Sequence, residues 1–241
     1  MSVVEPFQRP IPHWNKTAQT CVLFDFGGTL DANGVAWRER FFRLYRDQGI
    51  DIAPERFDRV FYAADDALVG AVPATLSLRD TVVRLVQSLT QALGLCDLML
   101  VEKIAQRFLE ESSDRLSTNV ALLAHLSRRY RLGVVSNFYG NLATVCHEVG
   151  LTPFLTVVVD SACVGYLKPD PQIFFRALAE LGVDPAQALF VGDSLRRDMA
   201  GARAAGMPHV WLTTEPPPEE GPCCPDDRVV HTLDELREWI L

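Results

Sequence analysis

Five short apolar runs recur along this chain, each closing on a polar stretch: CVLFDF (21–26), RLGVVSN (131–137), LTVVVDS (155–161), ALFVGDS (188–194) and HVWLTT (209–214). Their apolar positions are nearly continuous rather than alternating. That is the pattern of strands buried on both faces, as in a parallel sheet. Between them the period changes to that of a helix, over roughly 117–129, 140–149, 171–181, 196–205 and 233–241. Glycine stands where two of these helices should stop, in HEVGL and AELGV. Strands alternating with helices in this way predict an open α/β fold with a parallel sheet. In such a sheet the ligand crevice lies at the carboxyl ends of the strands. Asp25, Ser136, Asn137, Asp193 and Ser194 all stand at those ends, so they are expected to converge on one site. Any one of them alone reads more simply as a loop or helix cap. Their joint occurrence is what points to a site.

The strand pattern is interrupted between residues 35 and 115, where only helical periods occur. VAWRERFFRLYRDQG places Trp37, Phe41, Leu44 and Tyr45 on one face and ends in Gly49. PERFDRVFYAADDALVG opens with Pro54 at a helix start, LRDTVVRLVQSLTQALG closes on Gly94, and CDLMLVEKIAQRFLEESSDRL supplies a fourth helix. This predicts an N-terminal arm (1–20), a core formed by 21–34 and 116–241, and an inserted helical bundle over 35–115. A helical lid above the strand ends would exclude water and select the substrate. The Trp and Phe residues of the insertion read as packing positions rather than a ligand box. Its arginines, Arg38, Arg40, Arg43 and Arg56, can reach an anionic group, although surface exposure is their commoner fate.

At 241 residues the chain is long enough for one large domain or a core with an insertion. Apolar residues at 48% and charged residues at 22% are those of a soluble globular protein. A formal net charge of −8 argues against a nucleic-acid surface, and no dense basic run offsets it; SRRYR at 127–131 is the nearest. The N-terminal stretch lacks the charged and apolar regions of a signal peptide, and no apolar run approaches bilayer length, so no membrane partner is expected. Six cysteines (21, 96, 146, 163, 223 and 224) show no metal-ligand spacing, which predicts reduced thiols and a cytoplasmic protein. The proline-rich segment 213–227 reads as a surface loop. Lysine occurs only at 16, 103 and 168, which gives Lys168, in YLKPDP, more weight than an ordinary surface lysine.

Four motifs follow one another in the order FDFGGTLD, VVSNF, VGYLKPDPQIF and FVGDSLRRDMAGARAAGM. Together, over residues 21 to about 214, they resemble those of the haloacid dehalogenase-like hydrolase superfamily, in members with a helical cap inserted after the first strand. The resemblance implies a Rossmann-like parallel sheet core and an α-helical bundle cap. It puts Asp25 at the nucleophile position and Ser136 where a phosphoryl oxygen is hydrogen-bonded. Lys168 falls at the charge-neutralising position, and Asp193 and Asp198 at the acidic metal positions. It implies Mg²⁺ as cofactor, held by Asp25, Asp193, Asp198 and the Gly27 carbonyl, with Gly28, Thr29, Ser136, Asn137 and Lys168 toward a small phosphorylated substrate. The chemistry is consistent with these residue types. A carboxylate can split a displacement in two through a covalent aspartyl intermediate, and an anionic nucleophile approaching an anionic phosphate needs positive charge beside it. The glycines at 27 and 28 let the backbone turn and approach a ligand closely. Arg196 and Arg197 read as helix surface, and none of the five scattered histidines is assigned to catalysis.

One position departs from the pattern. Phosphatases of this superfamily usually carry an aspartate two residues after the nucleophile, where it protonates the leaving group and then activates water. Here that residue is Gly27. General acid–base assistance is worth about 10²–10⁴-fold, so something must replace it or the reaction must need less of it. Asp31, Asp65 and Asp66 are candidate stand-ins. A phosphonatase-like Schiff base would need Lys103, the only lysine of the insertion. A dehalogenase would have no use for the acidic pair retained in GDSLRRD, and a binding or regulatory protein would need fewer of these groups. The expectation is therefore a Mg²⁺-dependent hydrolase of a small phosphorylated molecule, with oligomeric state left open.

Overall fold

The computed structural model describes residues 19–214 and 228–240. Most of the arm (1–18) and of the proline-rich loop (215–227), with Cys223 and Cys224, lies outside the described residues. The five expected strands are present as β1 (Cys21–Phe24), β2 (Arg131–Ser136), β3 (Leu155–Asp160), β4 (Ala188–Gly192) and β5 (His209–Leu212). They are joined by β6 (Arg228–Val230), three residues too short to show a period in the sequence. All pair in parallel, in the order β3-β2-β1-β4-β5-β6. β1 therefore lies between β2 and β4, and the chain order reverses there, the point at which open α/β sheets bind ligands.

Both faces of the sheet are covered, which is why its strands read as unbroken apolar runs. Val22, Phe24, Leu189 and Val191 pack on the side that continues into the helical insertion. Cys21, Leu23, Ala188 and Phe190 alternate to the other side, against α7 (Pro171–Leu181) and α8 (Ala200–Ala204). The short helices α5 (Leu142–Glu148), α6 (Ser161–Val164) and α9 (Leu236–Ile240) complete the set among the described residues.

Four helices separate β1 from β2: α1 (Trp37–Asp47), α2 (Pro54–Leu68), α3 (Leu78–Ala92) and α4 (Leu98–Leu126). Each buries an i, i+3/i+4 stripe; in α1 it is Trp37, Arg40, Phe41, Leu44 and Tyr45. Ser77 caps α3 through the Asp80 amide (2.9 Å), and Asp97 caps α4 through those of Met99 and Leu100 (2.9 and 3.0 Å). The sequence suggests two helices, 96–116 and 117–129, but they are one helix of 29 residues, about 44 Å long at 1.5 Å per residue. The polar run ESSD does not break it, because Ser112 turns inward to meet Arg40 (2.8 Å), and Asn119 further on donates to the Leu30 carbonyl (2.8 Å). α4 thus packs Phe108 among the insertion's aromatic rings, with Phe41 stacked on it at 4.2 Å, and brings Leu122, Leu123 and Leu126 into the same core as the sheet. Phe41, Phe57 and Phe108 of the insertion are fully buried packing residues, whereas Trp37 and Phe61 also line the cavity described below.

Candidate active site

The carboxyl ends of β1, β2 and β4 open into a cavity of about 570 Å³. Asp25 follows β1 directly, its amide bonded to the Val191 carbonyl of β4 (2.9 Å), so the side chain stands at the cavity floor. Lys168 reaches the same floor from the segment before α7. Its ammonium lies 2.7 Å from Asp25 Oδ1 and 2.6 Å from Asp198 Oδ1. Asp193, the residue after β4, completes a group of three carboxylates, one oxygen from each within 4.8 Å of the others. Ser136 ends β2 and lines the cavity, as do Gly27, Asn137 and Ser194.

Two glycines make this packing possible. A Cβ at Gly28, whose φ is +91°, would fall 2.4 Å from Asp193 Oδ2. One at Gly192 would fall 2.4 Å from Asp198 Oδ2. Thr29 donates from Oγ1 to Asp193 Oδ1 (3.1 Å), and the Ser194 amide donates to Asp198 Oδ2 (3.0 Å). Asn137 holds Lys168 from both sides: it accepts the Lys168 amide at 2.7 Å and donates to the Lys168 carbonyl at 3.1 Å. Asn137, Thr29 and Gly28 therefore act on the site's own residues. Thr29 and Gly28 do not line the cavity at all.

The electrostatics of the floor are those of three carboxyl groups around one ammonium, with Arg38, Arg196 and Arg197 further out on the cavity lining. Asp193 is pushed well above the usual carboxylate range by burial, with Asp198 and Asp25 adding to it. Asp198 is pushed up to about 6, again by burial and opposed by Lys168. Burial alone would lower Lys168, but Asp198 and Asp25 beside it raise its ammonium above the ordinary lysine range. Three buried or half-buried carboxylates against one ammonium leave excess negative charge, which a divalent cation with a preference for oxygen ligands would neutralise. The donor set fits such a cation.

Outside this floor the structure reassigns several residues. Asp31 is buried and does not line the cavity. Its oxygens accept the Gly28 amide (2.7 Å), the Trp37 indole N–H (2.7 Å), Arg40 Nη1 (2.9 Å) and the Ser112 hydroxyl (3.3 Å). Arg40 is buried rather than on the surface; it also donates to the Phe108 carbonyl (2.9 Å) and lies over the Phe108 ring. Arg38 lines the cavity, paired with Asp58 (Nε to Oδ1, 2.6 Å), while Arg43 is exposed and bound to Glu111 (2.6 Å). Arg56 makes a long contact with the Leu93 carbonyl (3.4 Å). Asp66 is exposed and does not line the cavity, and Lys103 is likewise exposed and absent from it. Arg196 and Arg197 are exposed at its rim. Sequence reasoning missed Trp37, which covers Gly27, and Tyr139, which hydrogen-bonds Asp65 across the cavity wall. It also missed Asp160, a carboxylate at a strand end like the others. Asp160 accepts the amides of Gly140 (2.8 Å), Leu142 (3.0 Å) and Ala162 (3.0 Å), and so fixes the loop that carries Tyr139.

The sequence pattern of the haloacid dehalogenase-like hydrolases matches residues 19–206. The chain belongs to this family. Among curated relatives, a haloacid dehalogenase-like hydrolase domain-containing protein 3 from Bos taurus is 36% identical over 140 residues, 56% of this chain and 55% of its own. A phosphoserine phosphatase from Thermus thermophilus is 41% identical over 92 residues, 38% of this chain and 35% of its own. The chain thus spans about half the length, or less, of these relatives. A haloacid dehalogenase-like phosphatase of known structure from Thermococcus onnurineus shares the fold (TM-score 0.54, 23% identity, 91% of this chain and 97% of that one). Among the described residues no helix is long and apolar enough to cross a membrane.

Proposed function

We propose that this member of the family is a Mg²⁺-dependent phosphatase of a small phosphorylated molecule. The observation that carries the reading is the cavity floor, where Lys168 joins Asp25 to Asp198 beside Asp193. Asp25, Asp193 and Asp198 would hold the cation, which supplies positive charge against the phosphoryl oxygens. Asp25 Oδ is the nucleophile, placed by the end of β1 and by its contact with Lys168. Lys168, 2.7 Å from Asp25, would offset the charge of the transferring group, and Ser136, on the cavity lining, would donate to one of its oxygens. Asn137 sets the lysine backbone, and Thr29 sets Asp193. The three carboxyl groups of the floor favour this reading over carbon–halogen cleavage, where a cation-binding floor has no role. The position of Lys103 outside the cavity disfavours a Schiff-base reaction.

The test is Mg²⁺-dependent phosphate release from a panel of monoesters. Native protein should turn over, and Asp25→Asn and Lys168→Met should each lose at least about 10³-fold, the scale of removing a reacting group or its charge partner. If native protein binds phosphate but releases none from any ester, the site is a binding pocket and the enzymatic reading fails.

A further inference from the structure

The cavity has four carboxyl groups on its walls: Asp25, Asp193 and Asp198 on the floor, and Asp65, which comes down from α2. The first three are committed to one another and to Lys168. Asp65 is different. One of its oxygens accepts the hydroxyl of Tyr139, and the other takes no hydrogen bond from any described residue. The remaining proton donors considered for this site are excluded by position. A side chain at Gly27 would begin 3.2 Å from the Trp37 indole nitrogen, so the indole occupies the space above that residue. Asp31 is buried under four donors, and Asp66 faces solvent.

We propose that Asp65 is the proton donor and acceptor of this site, presented by the helical insertion rather than by the loop after β1. The inference rests on the phosphatase reading above. As Asp25 bonds to phosphorus, the bond from phosphorus to the leaving oxygen breaks, and that oxygen takes the proton of the Asp65 carboxyl. The Asp65 carboxylate then takes a proton from water as the water oxygen bonds to phosphorus. The bond to Asp25 breaks, freeing its carboxylate and phosphate.

The surroundings shift Asp65 toward its protonated form. Burial raises Asp65 above the usual carboxylate range; the Tyr139 hydroxyl and then Arg197 oppose this, and Asp66 on the same helix adds to it. Tyr139 is itself pushed far above the tyrosine range, by burial first and by Asp65 second, so it stays a hydrogen-bond donor. Arg38, the other charged group of the insertion on this wall, is occupied by Asp58. Because Tyr139 lies in the loop after β2, its bond to Asp65 also sets the insertion against the sheet, and the Gly70 amide donates to the Tyr139 carbonyl (3.1 Å) to the same effect.

The test compares kcat/KM for an alkyl phosphate, whose leaving group needs a proton, with p-nitrophenyl phosphate, whose leaving group does not. Asp65→Asn should lose about 10²–10⁴-fold on the alkyl ester and less than about tenfold on the aryl ester. With native protein, the alkyl-ester rate should fall as pH rises through the Asp65 pKa. Tyr139→Phe, which removes the bond favouring the carboxylate, should move that fall to higher pH. Equal losses on both esters would mean that Asp65 only binds substrate, and no loss would mean that it is idle; either overturns the proposal. If native protein is no faster than Asp25→Asn on both esters, the phosphatase reading itself has failed, and this one with it.

Discussion

The bond between Asp31 and Arg40 offers the most quantitative check on how the insertion is held to the core. Both side chains are almost wholly buried, at 1% and 3% exposure, and the pair is 2.9 Å apart. Replacing Asp31 by Asn keeps the shape and removes the charge. An amide has one acceptor oxygen, and three donors (Trp37, Arg40 and Ser112) gather on Oδ2, so that oxygen is expected to stay there. The amide nitrogen then faces the Gly28 N–H, donor against donor, and that hydrogen bond is lost. Arg40 keeps the Phe108 carbonyl and ring, but its nearest remaining carboxylate is Glu111 at 3.8 Å. Breaking a buried pair by removing one partner costs about 3–5 kcal/mol. The remaining contacts of Arg40 place the expectation at the lower end, about 3 kcal/mol, or about 6–12 °C in Tm for a chain of this size. A urea titration followed by far-UV circular dichroism should show the midpoint fall with an unchanged slope. In an Arg40→Met background the same substitution should cost at least about 1.5 kcal/mol less, because no buried cation is then stranded. A loss below about 1 kcal/mol in the native background, or strict additivity with Arg40→Met, would refute the argument. Were Asp31 instead the missing acid, Asn would abolish the alkyl-ester pH dependence while leaving stability nearly untouched.

Two further outcomes follow from the same geometry. Gly27→Asp should not restore the usual phosphatase arrangement. The backbone there (φ −76°, ψ 117°) accepts a side chain, but its Cβ would fall 3.2 Å from the Trp37 indole nitrogen and the ring must shift, so unfolding should become easier by about 1–3 kcal/mol; a variant as stable as the native chain would show that the indole gives way freely. Mg²⁺ should raise Tm clearly near pH 8 and progressively less below pH 6. The sign follows from Asp198, pushed up to about 6, and Asp193, also raised by burial: protons occupy the ligands as pH falls. A Mg²⁺ shift that does not depend on pH would place the cation elsewhere.

How much could be read beforehand differs from residue to residue. Asp25, Ser136 and Asp193 were legible because each terminates an apolar run, and a parallel sheet gathers strand ends on one edge. The expected division of α4 fell at the boundary drawn between insertion and core, after Leu116, and the helix runs through it. Only the fold shows that Ser112 faces Arg40, 72 residues away in sequence. Arginines of an amphipathic helix default to solvent, and nothing local in α1 separates buried Arg40 from exposed Arg43.

By itself, the sequence determined the alternation of strand and helix, the helical insertion after β1, and the motifs that carry Asp25, Ser136, Lys168, Asp193 and Asp198. Those signals are periodic or contiguous, so they survive without coordinates. Tertiary structure decided which carboxyl faces which partner. Asp31 and Asp65 are equally plain aspartates in the chain, yet one is enclosed by four donors and the other meets a tyrosine 74 residues away at the cavity wall. Burial and hydrogen-bond partners set the protonation and reach of a carboxyl group, and both are fixed by segments distant in sequence that meet only when the chain folds.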